Sequence, residues 1–275
     1  MKKTVLLFLL CSAPAAARED HAQMDHAAMG HGAMNHDSAM DRGVMHGLLG
    51  GYAMSREASG TSWQPQAAPH EAIHLSADDW MVMLHGRVTA VADSQSGPRG
   101  DSQIFSSSMV MGMAARDLGN GGTLGLKAML SGDPFMGRRG SALLLAAGET
   151  ADGVSHLVDR QHPHDLLMEL AATYSKPLSA TDSLFLYAGY PGEPALGPSA
   201  YMHRASAVDN PATPLSHHWL DSTHITFGVV TAGWVHDRWK LEVSQFTGRE
   251  PDQHRFNFDQ ARFDSTSARI SFNPT

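Results

Sequence analysis

Beyond residue 79 the chain alternates apolar and polar residues one for one in several separate stretches. In MVMLHGRVTA, Val82, Leu84, Val88 and Ala90 fall on one side, and Met81, Met83, His85, Arg87 and Thr89 on the other. In TLGLKAMLS, Leu124, Leu126, Ala128 and Leu130 oppose Thr123, Lys127, Met129 and Ser131. WKLEVSQF (239–246) and ARISF (268–272) repeat the pattern. So does DLLMELAATYS (165–175), with Leu166, Met168, Leu170, Ala172 and Tyr174 against Asp165, Glu169, Thr173 and Ser175. A period of two puts alternate side chains on opposite faces of a strand. Helix competes for DLLMELAATYS on propensity, but the sustained alternation favours strand.

Less regular strands are expected near 104–116, 141–148, 183–190 and 224–235, which brings the total to about nine. Turn signals such as Ser96-Gly97-Pro98, Asn120-Gly121-Gly122 and Ala151-Asp152-Gly153 separate them. The pattern predicts an all-β, antiparallel fold of the outer-membrane barrel type over residues 80–275. A soluble periplasmic sandwich or barrel is the rival, with the apolar faces forming a core instead of meeting lipid. The apolar positions are mostly small and simple, and the opposing ones carry charges suited to a wet lumen, which favours lipid. An odd strand number is unusual for a single-chain bacterial barrel, and the terminal aromatic strand common in such barrels is missing. The expectation is therefore a partial barrel and a truncated chain. Residues 191–223 form a long, proline-rich connection, with a short helix expected between Ser199 and Ala207.

The N-terminus changes the picture. Lys2 and Lys3 precede an apolar run ending at Cys11, and Ala15-Ala16-Ala17 follows. That is the layout of a cleaved signal peptide over residues 1–17. The run is too short to span a bilayer as a helix, which disfavours an uncleaved anchor. Cleavage removes Cys11, the one cysteine, so any metal site must use His, Met, Asp or Glu. It also removes two positive charges, taking the formal charge from −8 to −10. So acidic a chain is a poor partner for nucleic acid.

Residues 18–50 form a low-complexity tail, expected to be disordered without metal, and 51–79 a Gly/Ser/Pro-containing linker. The tail reads HAQMD, HAAMG, HGAMN and then HDSAM. Its candidate ligands are His21, Met24, His26, Met29, His31, Met34, His36, Met40, Met45 and His46. Thioether sulfur is soft and selects Cu(I) or Ag(I), while imidazole also takes Cu(II) and Zn(II). The tail therefore points to copper or silver. The competing reading, a linker that merely contains His and Met, leaves so many Met residues in a polar segment without a packing role.

Two further groups carry possible chemistry. His162, His164 and Asp165 lie in RQHPHD, with His203, His217, His218 and His224 in or beside the long connection. An H-x-H pair with a carboxylate can bind a divalent metal, but is as readily a polar loop at a strand end. Met81, Met83 and His85 share one strand face, and Met109, Met111 and Met113 alternate in SSSMVMGMAAR. Facing a lumen, they would make thioether ladders for Cu(I); otherwise they are packing residues. No nucleophile elbow, zincin, P-loop or dinucleotide signature occurs, and the chain is expected not to be an enzyme.

The stretches SREASGTSWQP, GETADG, LVDRQHPHDLLMELAATYS, GYPGEPALGPSAYMHR, DNPATPLSHHWLDSTHITFG and GREPDQ carry a resemblance over residues 51–275. The chain resembles a family of Gram-negative envelope proteins read as outer-membrane β-barrels, often with Met/His-rich N-termini. Its tail is similar in composition to those of copper-resistance outer-membrane proteins. The resemblance implies an outer-membrane location, lipid and metal ions as partners, and periplasmic copper-handling proteins as neighbours. It also implies that the chain normally continues past ISFNPT. It assigns no role to His162, His164, His217 or His218.

Overall fold

The alternating stretches become strands of one antiparallel sheet. The computed structural model describes residues 46–69, 71–150, 152, 154–210, 212–215, 217 and 224–274, without the side chains of 147–149. The expected leader 1–17 and the expected tail as far as Met45 lie outside the described residues; His46 is the first of the described ones. In chain order the strands are β1 (His46–Gly47), β2 (Gly50–Ala53), β3 (Ile73–Ala77), β4 (Trp80–Ser94), β5 (Ser102–Asp117), β6 (Thr123–Ser131), β7 (Ser141–Thr150), β8 (His156–Gln161), β9 (Leu167–Pro177), β10 (Asp182–Gly189), β11 (Val229–His236), β12 (Trp239–Phe246) and β13 (Ser265–Phe272). Nine of them make one sheet, in the order β13-β12-β11-β10-β9-β6-β5-β4-β3. The fold is all-β and antiparallel, as the alternation predicts. The sheet is open, with β3 and β13 as its edges, and no closed barrel forms among the described residues.

The membership of the sheet differs from expectation in two places. The stretch 141–148 leaves it: β7 pairs only with β8, in a separate hairpin with shifted register. Leu145 takes a positive φ of 73° there, which breaks the two-residue period. Ile73–Ala77, inside the expected linker, joins the sheet as β3. DLLMELAATYS is a strand, with a bulge near Met168 that buries both Met168 and Glu169.

The last residues of the expected tail and the first part of the expected linker also pack on the sheet. Residues 48–63 lie against the buried face of the sheet, with Leu48, Leu49, Tyr52 and Met54 in its apolar cluster. The reason is polar as much as apolar. Glu57 Oε1 accepts from Leu48 N at 2.8 Å and from Tyr52 Oη at 2.6 Å. Lys127 on β6 donates to the Gly60 carbonyl at 2.7 Å and sits 3.4 Å from Glu57. Lys240 on β12 donates to the Thr61 carbonyl, lies 4.7 Å from the Trp63 ring centroid and 3.6 Å from Glu242. Arg269 on β13 pairs with Glu242 at 2.9 Å and donates to Thr61 Oγ1 at 3.0 Å. Buried charges persist only when paired and hydrogen-bonded, and this network meets that condition. Gly60, at φ +56°, leaves no room for a Cβ, which would fall 2.6 Å from Glu193.

The buried face therefore carries Lys127, Glu169, Thr173, Tyr187, Thr231, Lys240, Glu242 and Ser244. The opposite face exposes Leu84, Val88, Ile104, Val110, Leu126, Leu170, Leu186, Val230, Val243 and Ile270. The connections are equally one-sided. Those at one end span only 78–79, 118–122, 178–181 and 237–238; those at the other span 95–101, 132–166, 190–228 and 247–264.

Candidate metal centres

The register of three strands assembles the first centre. Across β4, β5 and β6, His85 faces Met111, which faces Met129; one rung away Met83 faces Met113, which faces Lys127. These side chains share the buried face because residues two apart in a strand point the same way. Met83, Met109, Met111, Met113 and Met129 are all buried, and Met81 packs partly against them. The 190–228 connection closes over them through a short 3-10 helix, Tyr201–His203, inside the stretch expected to be helical. His203 Nε2 lies 3.4 Å from Met129 Sδ, and its ring centroid is 5.6 Å from that of His85. Arg87 fastens the connection by binding Asp209 and the Val208 carbonyl, each at 2.7 Å. Between strands and connection lies a cavity of ≈ 260 Å³, lined by Met83, Met109, Met111, Met113, His85, Met202 and His203 among others.

Burial pushes the His203 imidazole down to about 3, with His85 and Lys127 adding to the effect. The ring is thus neutral near pH 7 and keeps a nitrogen lone pair. Several thioethers and two imidazoles around one cavity form a soft donor set that suits Cu(I) or Ag(I).

The second centre lies among the long connections. His164 follows β8, while His217 and His224 come from the 190–228 connection. One ligand nitrogen from each lies within 4.8 Å of the other two, and all three side chains are buried. His164 Nε2 and His217 Nε2 are 3.4 Å apart. His164 Nδ1 lies 2.8 Å from Asp133 Oδ2, in the 3-10 turn Asp133–Met136 after β6. A carboxylate only accepts, so the proton sits on Nδ1 and Nε2 presents its lone pair. Tyr201 packs edge-on to His217, with ring centroids 5.2 Å apart.

The structure divides the candidates of the RQHPHD cluster. It brings His164 together with two of the histidines singled out in the long connection, His217 and His224. His162 turns aside to Glu250, 3.4 Å from its Nε2. Asp165 pairs with Arg255 at 3.1 Å, and burial raises its carboxyl to about 6 despite that partner. His218 lies outside the described residues, as do His21, Met24, His26, Met29, His31, Met34, His36, Met40 and Met45. His46 starts β1 and is among the residues of neither centre. Of the Met ladder of β4 and β5, Met83, His85, Met109, Met111 and Met113 line a cavity together with Met202, while Met129 sits against His203. Asp133 and Tyr201 carried no sequence signal as site residues. Asp133 sits in an ordinary turn sequence, 31 positions from the histidine it orients. Comparison with family models, with curated proteins and with solved structures finds no match to this chain.

Proposed function

We propose that the chain is an envelope metal-handling protein that holds Cu(I) or Ag(I) in the Met/His cavity of an outer-membrane-type barrel sheet. The observation that carries this reading is the convergence of Met83, Met111, Met113, His85 and His203 on one cavity, with Met129 beside them against His203. Packing alone does not call for so many thioethers beside two imidazoles, since Leu and Ile fill cores with better-defined rotamers. The N-terminal Met/His tail collects the ion and raises its local concentration at the sheet. The role is metal tolerance, by sequestration or by passage toward export, and not catalysis.

The exchanged faces support the outer-membrane location. Exposed rows of Leu, Val and Ile opposite buried Lys, Glu and Thr fit a sheet with lipid outside and a polar lumen inside. Short turns at one end and long connections at the other fit the periplasmic and extracellular ends of such barrels. A soluble all-β chaperone would leave those rows in water, an unusually large apolar surface.

The test is a titration of the full mature chain with Cu(I) against a chromophoric Cu(I) chelator. Joint replacement of Met83, Met111, Met113 and Met129 by Leu removes the tightest competition, whereas Leu at Met24, Met29 and Met34 lowers only the number of ions held. Unchanged competition in the cavity variant overturns the reading. Recovery of the protein wholly in the soluble fraction overturns the membrane location.

A further inference from the structure

We infer that His164, His217 and His224 form a second metal site, for a divalent transition ion of borderline softness such as Zn(II) or Cu(II). It is separate from the Met/His cavity and does not depend on the Cu(I) reading or on the membrane location.

The donors are three imidazoles with no sulfur, which suits Zn(II) and Cu(II) better than Cu(I). The spacing fits an ion. With metal–nitrogen bonds of about 2.0–2.1 Å, the edge of a tetrahedron between two ligand nitrogens is about 3.4 Å. His164 Nε2 and His217 Nε2 stand 3.4 Å apart, and His224 offers a nitrogen within 4.8 Å of both. A bound ion would have to draw the His224 nitrogen in from that distance. Its ring lies 4.5 Å, centroid to centroid, from His217 and 5.3 Å from His164.

The surroundings are those of a built site. Asp133 orients His164 through Nδ1, the arrangement that fixes the tautomer of metal-bound histidines. Its other oxygen, Oδ1, is buried and has no hydrogen-bond partner among the described residues. A small cleft beside the histidines is lined by His164, His224, His162 and Glu250, so a fourth ligand, water or carboxylate, has somewhere to stand. A purely structural alternative exists: a proton on His217 Nε2, donated to His164 Nε2, satisfies the same pair without metal.

Titration of the full mature chain with Zn(II) against a chromophoric chelator separates these. The wild type takes up a further equivalent that His164→Ala, His217→Ala and His224→Ala each lose. The variant with Leu at Met83, Met111, Met113 and Met129 keeps it, which distinguishes this site from the soft one. Asp133→Asn retains all three histidines and weakens the same equivalent about 10- to 100-fold. Co(II) in place of Zn(II) shows the visible bands of a low-coordinate nitrogen site in the wild type and loses them in His217→Ala. Equal uptake by wild type and the histidine variants overturns the site. If those variants misfold, unchanged affinity in folded Asp133→Asn overturns it instead.

Discussion

The two faces of the nine-stranded sheet are built from the same strands and obey opposite rules. On one, Val243 and Ile270 stand more than half exposed; on the other, Lys240 and Glu242 are closed off completely or nearly so. In water the apolar row would be buried and the charged row exposed, because transfer of apolar surface out of water drives folding. The inversion teaches that the charged face is closed by the chain's own N-terminal segment. The apolar face has no cover among the described residues. Stability on one face comes from ion pairs and hydrogen bonds, and on the other from whatever medium meets it.

The largest effect should come from breaking the charged face. Glu242→Ala leaves Lys240 and Arg269 facing each other without their anion and costs about 3–5 kcal/mol in a denaturant melt. Loss of less than about 1 kcal/mol would mean that solvent reaches the network and screens it. The apolar face gives the next effect and tests the medium directly. Val243→Lys in detergent or lipid costs about 2–4 kcal/mol if the row meets hydrocarbon near the midplane. The same change stays within about 0.5 kcal/mol if the row faces water. Third, Met111→Leu preserves volume and costs little stability, under about 1.5 kcal/mol. It nonetheless weakens Cu(I) retention in the chelator competition, which separates ligation from packing on the charged face.

The smallest effect is on pH dependence. The folded-state pKa of His203 is about 3, below its unfolded value near 6.5, so the unfolded chain binds more protons between those limits. The stability that goes with its neutral ring is whole above the unfolded pKa. It is lost progressively as pH falls through the window from 6.5 toward 3. His203→Gln should therefore narrow the stability gap between pH 7 and pH 4 in thermal melts. An equal gap in both proteins would show that acidification acts through other groups.

Much of the sheet was legible because burial on one face leaves a two-residue period in the sequence. Val82/Met83 and Lys240/Leu241 each announce their faces. The strand face bearing Met81, Met83 and His85 was legible for the same reason, and so was the alternation of Met109, Met111 and Met113. Ile73–Ala77 was missed because it is short and exposed along its length, so its period reports no burial. The segment 48–63 was missed because as much of its docking is hydrogen bonding to backbone carbonyls such as Gly60 and Thr61 as apolar contact, and no side-chain pattern encodes the former. The three-histidine cluster was half legible. His164 and His217 stood out by type, but their meeting depends on how two long connections fold over the same end of the sheet. Loop geometry carries no periodic trace.

The 3-10 helix Tyr201–His203 has a thermodynamic consequence. Its first residue touches His217, and its third touches Met129. If an ion at the three-histidine centre shifts that turn, it changes the affinity of the Met/His cavity by some factor. Linkage then requires an ion in the cavity to change the affinity of the histidine centre by the same factor, whichever binds first. A three-residue turn would make the two metals reciprocal effectors of one another, with a coupling energy measurable from either side.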